Sequence, residues 1–136
     1  MAALTNFLEE ALIGHLFRGI NYVAPATLYV GLLTAAPGDA GGGTEVAGNN
    51  YARVAVANSS AQWNAAVGGN GTTANTNVVN FPVPSPSWGV VTHFAVYDAA
   101  AAGNMLWYSA LTLSKTINSG DTVSFPAGAL TLQLDN

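Results

Sequence analysis

Trp88-Gly89-Val90-Val91-Thr92-His93-Phe94-Ala95-Val96-Tyr97-Asp98, a short run of small residues from Ala99 to Asn104, and then Met105-Leu106-Trp107-Tyr108-Ser109-Ala110-Leu111-Thr112-Leu113 read as a β-hairpin. Side chains alternate along a strand, so the first arm is expected to place Val90, Thr92, Phe94 and Val96 on one face. Gly89, Val91, His93, Ala95 and Tyr97 fall on the other. Both faces are largely apolar, which points to an inner strand rather than a half-solvated one. The returning arm is rich in aromatic residues that favour strands. Two adjacent strands of this content are the expected nucleus of a core.

Outward from the hairpin, the flanking segments repeat the same signal. Thr27-Leu28-Tyr29-Val30-Gly31-Leu32-Leu33-Thr34 has the content and length of a buried strand, and Tyr51-Ala52-Arg53-Val54-Ala55-Val56 alternates. Val78-Val79-Asn80-Phe81 is stopped by Pro82, Pro84 and Pro86, which belong at an edge because proline cannot donate to a ladder. Thr122 to Phe125 and Ala129 to Leu134 complete the set, with Leu130, Leu132 and Leu134 facing one way. The stretch 35–50 and the Gly-, Asn- and Thr-rich stretch 64–77 read as loops. Ahead of the strands, Leu4, Leu8, Ala11, Leu12 and Leu16 recur at three- and four-residue spacing and predict a helix over 4–18. Asn6 with Glu9 resembles a capping pair, and Gly19 suits the left-handed position after the last turn. Phe7, Ile13 and Phe17 lie off the stripe, giving the helix more apolar surface than one contact requires. The sum is a mainly β chain: one domain over 1–136, with the helix followed by a β-domain over 27–134. Six to seven short strands fit a sandwich or a barrel equally.

Charged residues make up 7% of the 136, against about 25% in an average globular domain. A surface so poor in charge suits burial in an assembly, or life outside a cell. Seven acids face three bases, Arg18, Arg53 and Lys115, for a net charge of −4. Three scattered cations cannot displace counterions from phosphates, so no nucleic acid is expected as a partner. An anionic membrane surface is disfavoured for the same reason, and no apolar run reaches the roughly 18 residues of a span. Without cysteine there are neither disulfides nor thiolate metal sites. The N-terminus lacks the basic region of a signal peptide, so synthesis in the cytoplasm is expected.

No catalytic constellation emerges. His15 and His93 are the only histidines. His93 with Asp98 and a serine could be drawn as a triad, yet five residues apart on one strand they point to opposite faces. Two histidines fail the ligand spacing of zinc sites. Gly41-Gly42-Gly43-Thr44-Glu45 lacks the Gly-Lys-Ser/Thr ending of a phosphate loop. Asp39, Glu45, Asp98, Asp121 and Asp135 lie in or beside loops without a calcium-loop spacing. Asn58-Ser59-Ser60 and Asn70-Gly71-Thr72 match the glycosylation pattern by chance. Trp63, Trp88 and Trp107 could stack on sugars but more often anchor cores or interfaces. Neither enzymatic activity, catalytic residue, metal nor cofactor is expected.

Leu28-Tyr29-Val30-Gly31-Leu32-Leu33-Thr34-Ala35-Ala36-Pro37, Gly41 to Val46, Tyr51-Ala52-Arg53, Ser87 to Phe94, Tyr97-Asp98-Ala99, Ser114 to Asp121 and Phe125 to Leu130 resemble a family of small structural proteins of tailed-phage and prophage virions, tail-fibre-like in their usual description. The resemblance spans nearly the whole chain and carries no catalytic motif. It implies a virion component assembled in the bacterial host cytoplasm. The first expectation is a capsid decoration or cement protein, a homo-oligomer (a trimer) stitching major capsid protein subunits together from outside. The alternative is a tail-fibre or baseplate component that contacts tail proteins and the host surface. Candidate interface residues are Phe7, Ile13, Phe17 and Arg18 on the helix, Asp39, Glu45, Tyr51 and Arg53 in and after the long loop, and Trp63. A small hydrolase built on His93 is the reading from a different class.

Overall fold

The computed structural model describes residues 3–69 and 71–134. In chain order the elements are β1 (Ala3–Leu4), α1 (Asn6–Phe17), β2 (Thr27–Ala35), β3 (Thr44–Glu45), β4 (Val54–Ala57), β5 (Thr72–Ala74), β6 (Val79–Asn80), β7 (Gly89–Tyr97), β8 (Met105–Ile117), β9 (Ser124–Phe125) and β10 (Thr131–Gln133). The β7–β8 hairpin is the centre of a six-stranded antiparallel sheet. β2 lies on the other side of β7, pairing Tyr29 with Tyr97 through to Leu33 with His93. Strands flanked on both edges and covered on both faces carry no polar alternation, which accounts for the unbroken apolar runs. The far edge of β2 is shared, β4 pairing with Thr27 to Val30 and β3 with Leu33 to Ala35. β1 pairs with β8 at Trp107 and Tyr108.

One face of the sheet carries the main core: Val30 and Leu32 of β2, Phe94 and Val96 of β7, and Trp107 of β8. Two short ribbons, β6–β9 and β5–β10, bring Val79, Phe125 and Leu132 against it, with Leu130 fully buried. The result is a sandwich-like layout with no closed barrel among the described residues. An aromatic cluster fills the β6–β9 side: Tyr51 stacks on Phe81 and meets Trp88 edge-on at 5.3 Å, while Phe125 bridges Phe81 and Phe94. The opposite face holds a second, smaller cluster of Leu33, Ala95, Tyr97 and Met105, flanked by Tyr29 and Tyr108.

The strict alternation expected in β7 is broken. Val91 pairs with Lys115 but His93 pairs with Ala110, so Leu111 to Ser114 of β8 stand opposite Thr92 alone. This bulge moves Val91 into the core with Phe94 and Val96, while Val90 is left 49% exposed. β8 also runs further than the sequence suggests, to Ile117, with Leu113 exposed on the bulge.

Other boundaries shift for similar reasons. Leu4 pairs with Trp107 instead of starting the helix, so α1 begins at Asn6. The expected Asn6–Glu9 capping pair is replaced by Thr5 at the cap position, and the Thr5 hydroxyl donates to Met105 O (2.6 Å) rather than capping the helix. The C-terminal end follows expectation: Gly19 is left-handed at φ +66°, and Gly14 O accepts from both Arg18 and Ile20. β4 begins only at Val54, leaving Tyr51 to Arg53 as the approach to it. The polar stretch 64–77 is not all loop, since β5 pairs with β10 and Asn75 is buried. The Asn75 side chain donates to Asn77 O and Pro126 O and accepts from Leu130 N–H (2.8 Å). Leu134, expected to face with Leu130 and Leu132, is 59% exposed.

Candidate functional site

The most highly organised polar group of the molecule is built by β2, β3 and the approach to β4. The loop after β2 turns back through a tight bridge between Gly38 and Gly41 and sets β3 beside Leu33 to Ala35. Gly43, at φ +75°, lies where a Cβ would meet Ala35 O at 2.8 Å, so only glycine lets the loop close this tightly. Glu45 then faces Arg53. Its Oε1 accepts from Arg53 Nε (2.8 Å) and its Oε2 from Nη2 (2.7 Å), the two-pronged geometry natural to a guanidinium and a carboxylate. Tyr51 hydroxyl donates to Glu45 Oε1 (2.8 Å) and accepts from Leu32 N–H (2.9 Å).

Arg53 does more than neutralise Glu45. Its Nη1 donates to Ala99 O (2.7 Å) and Ala102 O (2.9 Å), so the loop of the β7–β8 hairpin is tied to the far edge of β2. The guanidinium carbon stands 3.4 Å above the centre of the Tyr97 ring, a cation–π contact in a desolvated setting. The hairpin loop is itself shaped to receive the arginine. Asp98 accepts from Asn104 N–H and Nδ2, and Ala102 adopts φ +52°. At Gly103 any Cβ would sit 2.4 Å from Asp98 Oδ1.

Burial pulls the Arg53 pKa down, but the Glu45 hydrogen bonds and charge outweigh it and the net shift is upward. Burial, aided by the Glu45 charge, pushes the Tyr97 phenol up to about 12 and Tyr51 further still. Four of the five guanidinium N–H donors therefore have acceptors, and the tyrosine hydroxyl both donates and accepts. This arrangement ties strands and loops together, and Glu45, Arg53 and Tyr97 also line a cleft that they share with Phe7, Asp39 and Asn104.

The remaining candidates are scattered. Phe7 is 40% exposed at the rim of a cleft of about 520 Å³ that also reaches Asp39, Gly42, Arg53 and Asn104. Asp39 is engaged in the chain: its carbonyl accepts from Asn6 N–H and its carboxylate from the Tyr108 hydroxyl. Ile13, Phe17 and Arg18 stand exposed on and after α1. Trp63 is half-buried against the main core with its indole N–H unpartnered, as is that of Trp107. A second cleft of about 490 Å³ has mixed walls, with Phe94, Leu111, Ile117 and Phe125 beside Ser109, Thr112, Lys115 and Ser124. His93 Nδ1 lies 2.8 Å from Thr92 Oγ1, and burial lowers its pKa. His15 accepts from Tyr22 N–H. Among the described residues no three acidic or histidine side chains gather in a metal-binding group. Asp135, and Asn70 of the second glycosylation pattern, lie outside the described residues.

Sequence reasoning named Glu45, Tyr51 and Arg53 but not their union, and it missed Tyr97, Gly31 and Asn75. Gly31 was the available signal: a lone glycine inside an apolar strand marks a close approach. A Cβ there would meet Glu45 Oε1 at 2.9 Å, Tyr51 hydroxyl at 3.0 Å and Tyr97 Cε2 at 3.0 Å.

The sequence matches a family model described as Podophage GP4 fiber I protein gp80 over residues 3–133, from the first strand to the last. No curated protein matches it.

Proposed function

The chain belongs to this podophage fibre family, and on that premise we propose that it is a structural subunit of a phage tail fibre. The observation that carries the reading is the extent of the match, which takes in the whole described fold rather than a shared motif. The fold supports it. The Arg53 cluster ties two loops to the sheet and so stiffens a β-domain whose surface is poor in charge, as suits a part held by contact area. Its role is mechanical rather than catalytic: Asp98 is committed to the hairpin loop and His93 to Thr92, so the pair imagined as a triad works separately. Its partners are tail proteins and further copies of itself, within a virion assembled in the host cytoplasm.

Capsid cement, the first expectation from sequence, takes second place because the family description names a fibre. Copy number per virion, measured by quantitative mass spectrometry against the major capsid protein, separates the two. A few copies in proportion to the tail's symmetry, with antibody label at the tail by electron microscopy, is the expected result. A stoichiometry near that of the capsid subunit, with label over the shell, would overturn it.

A further inference from the structure

The start of α1, the loop after β2 and the loop of the β7–β8 hairpin meet around the cleft of about 520 Å³, which has the Arg53 side chain, 7% exposed, in its wall. That volume falls in the roughly 300–1,000 Å³ range of small-molecule sites. Hydrogen-bonding groups that the fold leaves over line it. Arg53 Nη2 spends one N–H on Glu45, and its second has no acceptor among the described residues. The Thr5 hydroxyl gives its proton to Met105 O and does not cap the helix, so the N–H of Phe7 in the first turn also lacks an acceptor among them. Asp39 keeps one carboxylate oxygen, and Asn104 its side-chain oxygen, without a donor among the same residues. On the loop side, Gly41 and Gly42 leave open space where a Cβ would stand, so a ligand meets backbone there.

We propose that this cleft binds a neutral saccharide unit. The mix of free groups is the first argument. A sugar hydroxyl donates and accepts at once, so it is matched where donors and acceptors stand together. Here the N–H groups of Arg53 and Phe7 stand with the oxygens of Asp39 and Asn104. The Phe7 ring, 40% exposed at the rim, adds apolar area for the C–H face of a pyranose. An apolar ligand would instead leave the buried guanidinium N–H without a partner.

Charge is the second argument. Glu45 and Arg53 neutralise each other, which leaves the exposed Asp39 as the uncompensated charge of the cleft. It opposes an anionic ligand, in a chain whose net charge is −4. A metal ion needs more ligands than this, and no group of three acids or histidines gathers among the described residues. A neutral ligand rich in hydroxyls satisfies both arguments. The groups that would hold it are already fixed: Arg53 by four bonds, Asn104 by Asp98, and Asp39 by Asn6 N–H and the Tyr108 hydroxyl. A site set before its ligand arrives loses less to ordering on binding. The inference rests on the cleft and not on where the subunit sits in the virion, so copy number and saccharide binding can fail separately.

The test is saturation-transfer NMR on the full chain with the methyl glycosides of glucose, galactose, mannose, rhamnose and N-acetylglucosamine. Lactose and maltose serve as longer probes, and N-acetylneuraminate and glucuronate as anionic ones. The expected result is transfer to at least one neutral sugar, with a Kd on the order of 1 mM, and none to the anions. A disaccharide bound more tightly than its monosaccharide marks a polysaccharide end as the source, and equal binding a free sugar. Ala40→Trp fills the cleft from an exposed position and abolishes transfer. Phe7→Ala and Asp39→Asn are each expected to weaken binding about 10-fold, the asparagine still accepting from the Tyr108 hydroxyl. All three leave the circular dichroism of the fold unchanged, and Leu113→Ser, on the bulge and outside the cleft, leaves binding unchanged as well. No transfer to any neutral sugar at about 10 mM, a preference for the anionic sugars, or binding indifferent to Ala40→Trp would overturn the proposal.

Discussion

The two edges of the main sheet solve opposite problems. At the β3–β4 edge, Glu45, Tyr51 and Arg53 bring polar ends into a largely desolvated place, and each is answered from within the chain. At the β1 edge, α1 brings apolar side chains to the surface and leaves them in water. A cluster closed on itself gives rigidity, because any movement of one loop breaks bonds in another. An open apolar face gives no rigidity to a single copy. Both are unusual in a chain with so few charges, and together they set a part that holds its own shape against a part that leaves apolar side chains exposed.

That division is most severely tested at Arg53. Arg53→Met removes the charge from beneath Glu45, leaves Ala99 O and Ala102 O without their donor and takes away the cation over Tyr97. Breaking one side of a largely buried ion pair costs about 3–5 kcal/mol, so a large drop in the urea midpoint at constant slope is the expected outcome. A loss under about 1 kcal/mol would mean that the cluster is a surface ion pair of ordinary worth. Gly31→Ala strikes the same cluster from the strand below. The added methyl meets three side-chain atoms at about 3 Å, an overpacking of about 1–3 kcal/mol. The two changes share partners, so the double variant loses less than their sum, a coupling readable in a double-mutant cycle.

The cluster also sets an alkaline limit. Burial favours the neutral phenol of Tyr97 in the folded chain, raising its pKa from 10.0 to about 12. The folded state therefore holds a proton that the unfolded chain releases between these values, and stability falls as pH rises through that window. Unfolding free energy is expected to be level up to about pH 9 and to decline from pH 10 to 12. Tyr97→Phe should shallow that decline, and an unchanged slope would show that the phenol is not the group responsible. Tyr51, shifted further by the same burial, continues the decline at higher pH.

What could be read from the sequence was decided locally. The apolar arms of the hairpin, the left-handed Gly19 and the surplus apolar residues of the helix follow from neighbours a few positions away. The features missed depend on residues far along the chain. Nothing near Leu4 says that it will pair with Trp107 rather than begin a helix. The bulge sets four residues of β8 against Thr92 alone, a long-range pairing that neither strand announces, and around it Val91 rather than Val90 is buried. Thr72–Ala74 has no apolar rhythm, because its stabilisation comes from β10 and from the buried Asn75 beside it. Arg53 illustrates both sides. Its presence in a motif with Tyr51 was visible, but its acceptors at Ala99 and Ala102 are 46 and 49 positions away.

The smallest expected effect lies at the other edge and is the sharper for being small. Phe17 is 81% exposed, so in a single copy its ring contributes little burial, whatever its hydrophobicity. Phe17→Ser, measured by urea unfolding at a concentration where the chain is monomeric, should change stability by no more than about 0.5 kcal/mol. Phenylalanine in a packed core costs about 3–5 kcal/mol when truncated. A loss of that size in the monomer would mean that the helix packs on its own domain, and the contrast between the two edges would collapse. A negligible loss when dilute that grows with protein concentration is the mark of a side chain stabilised only when another surface covers it.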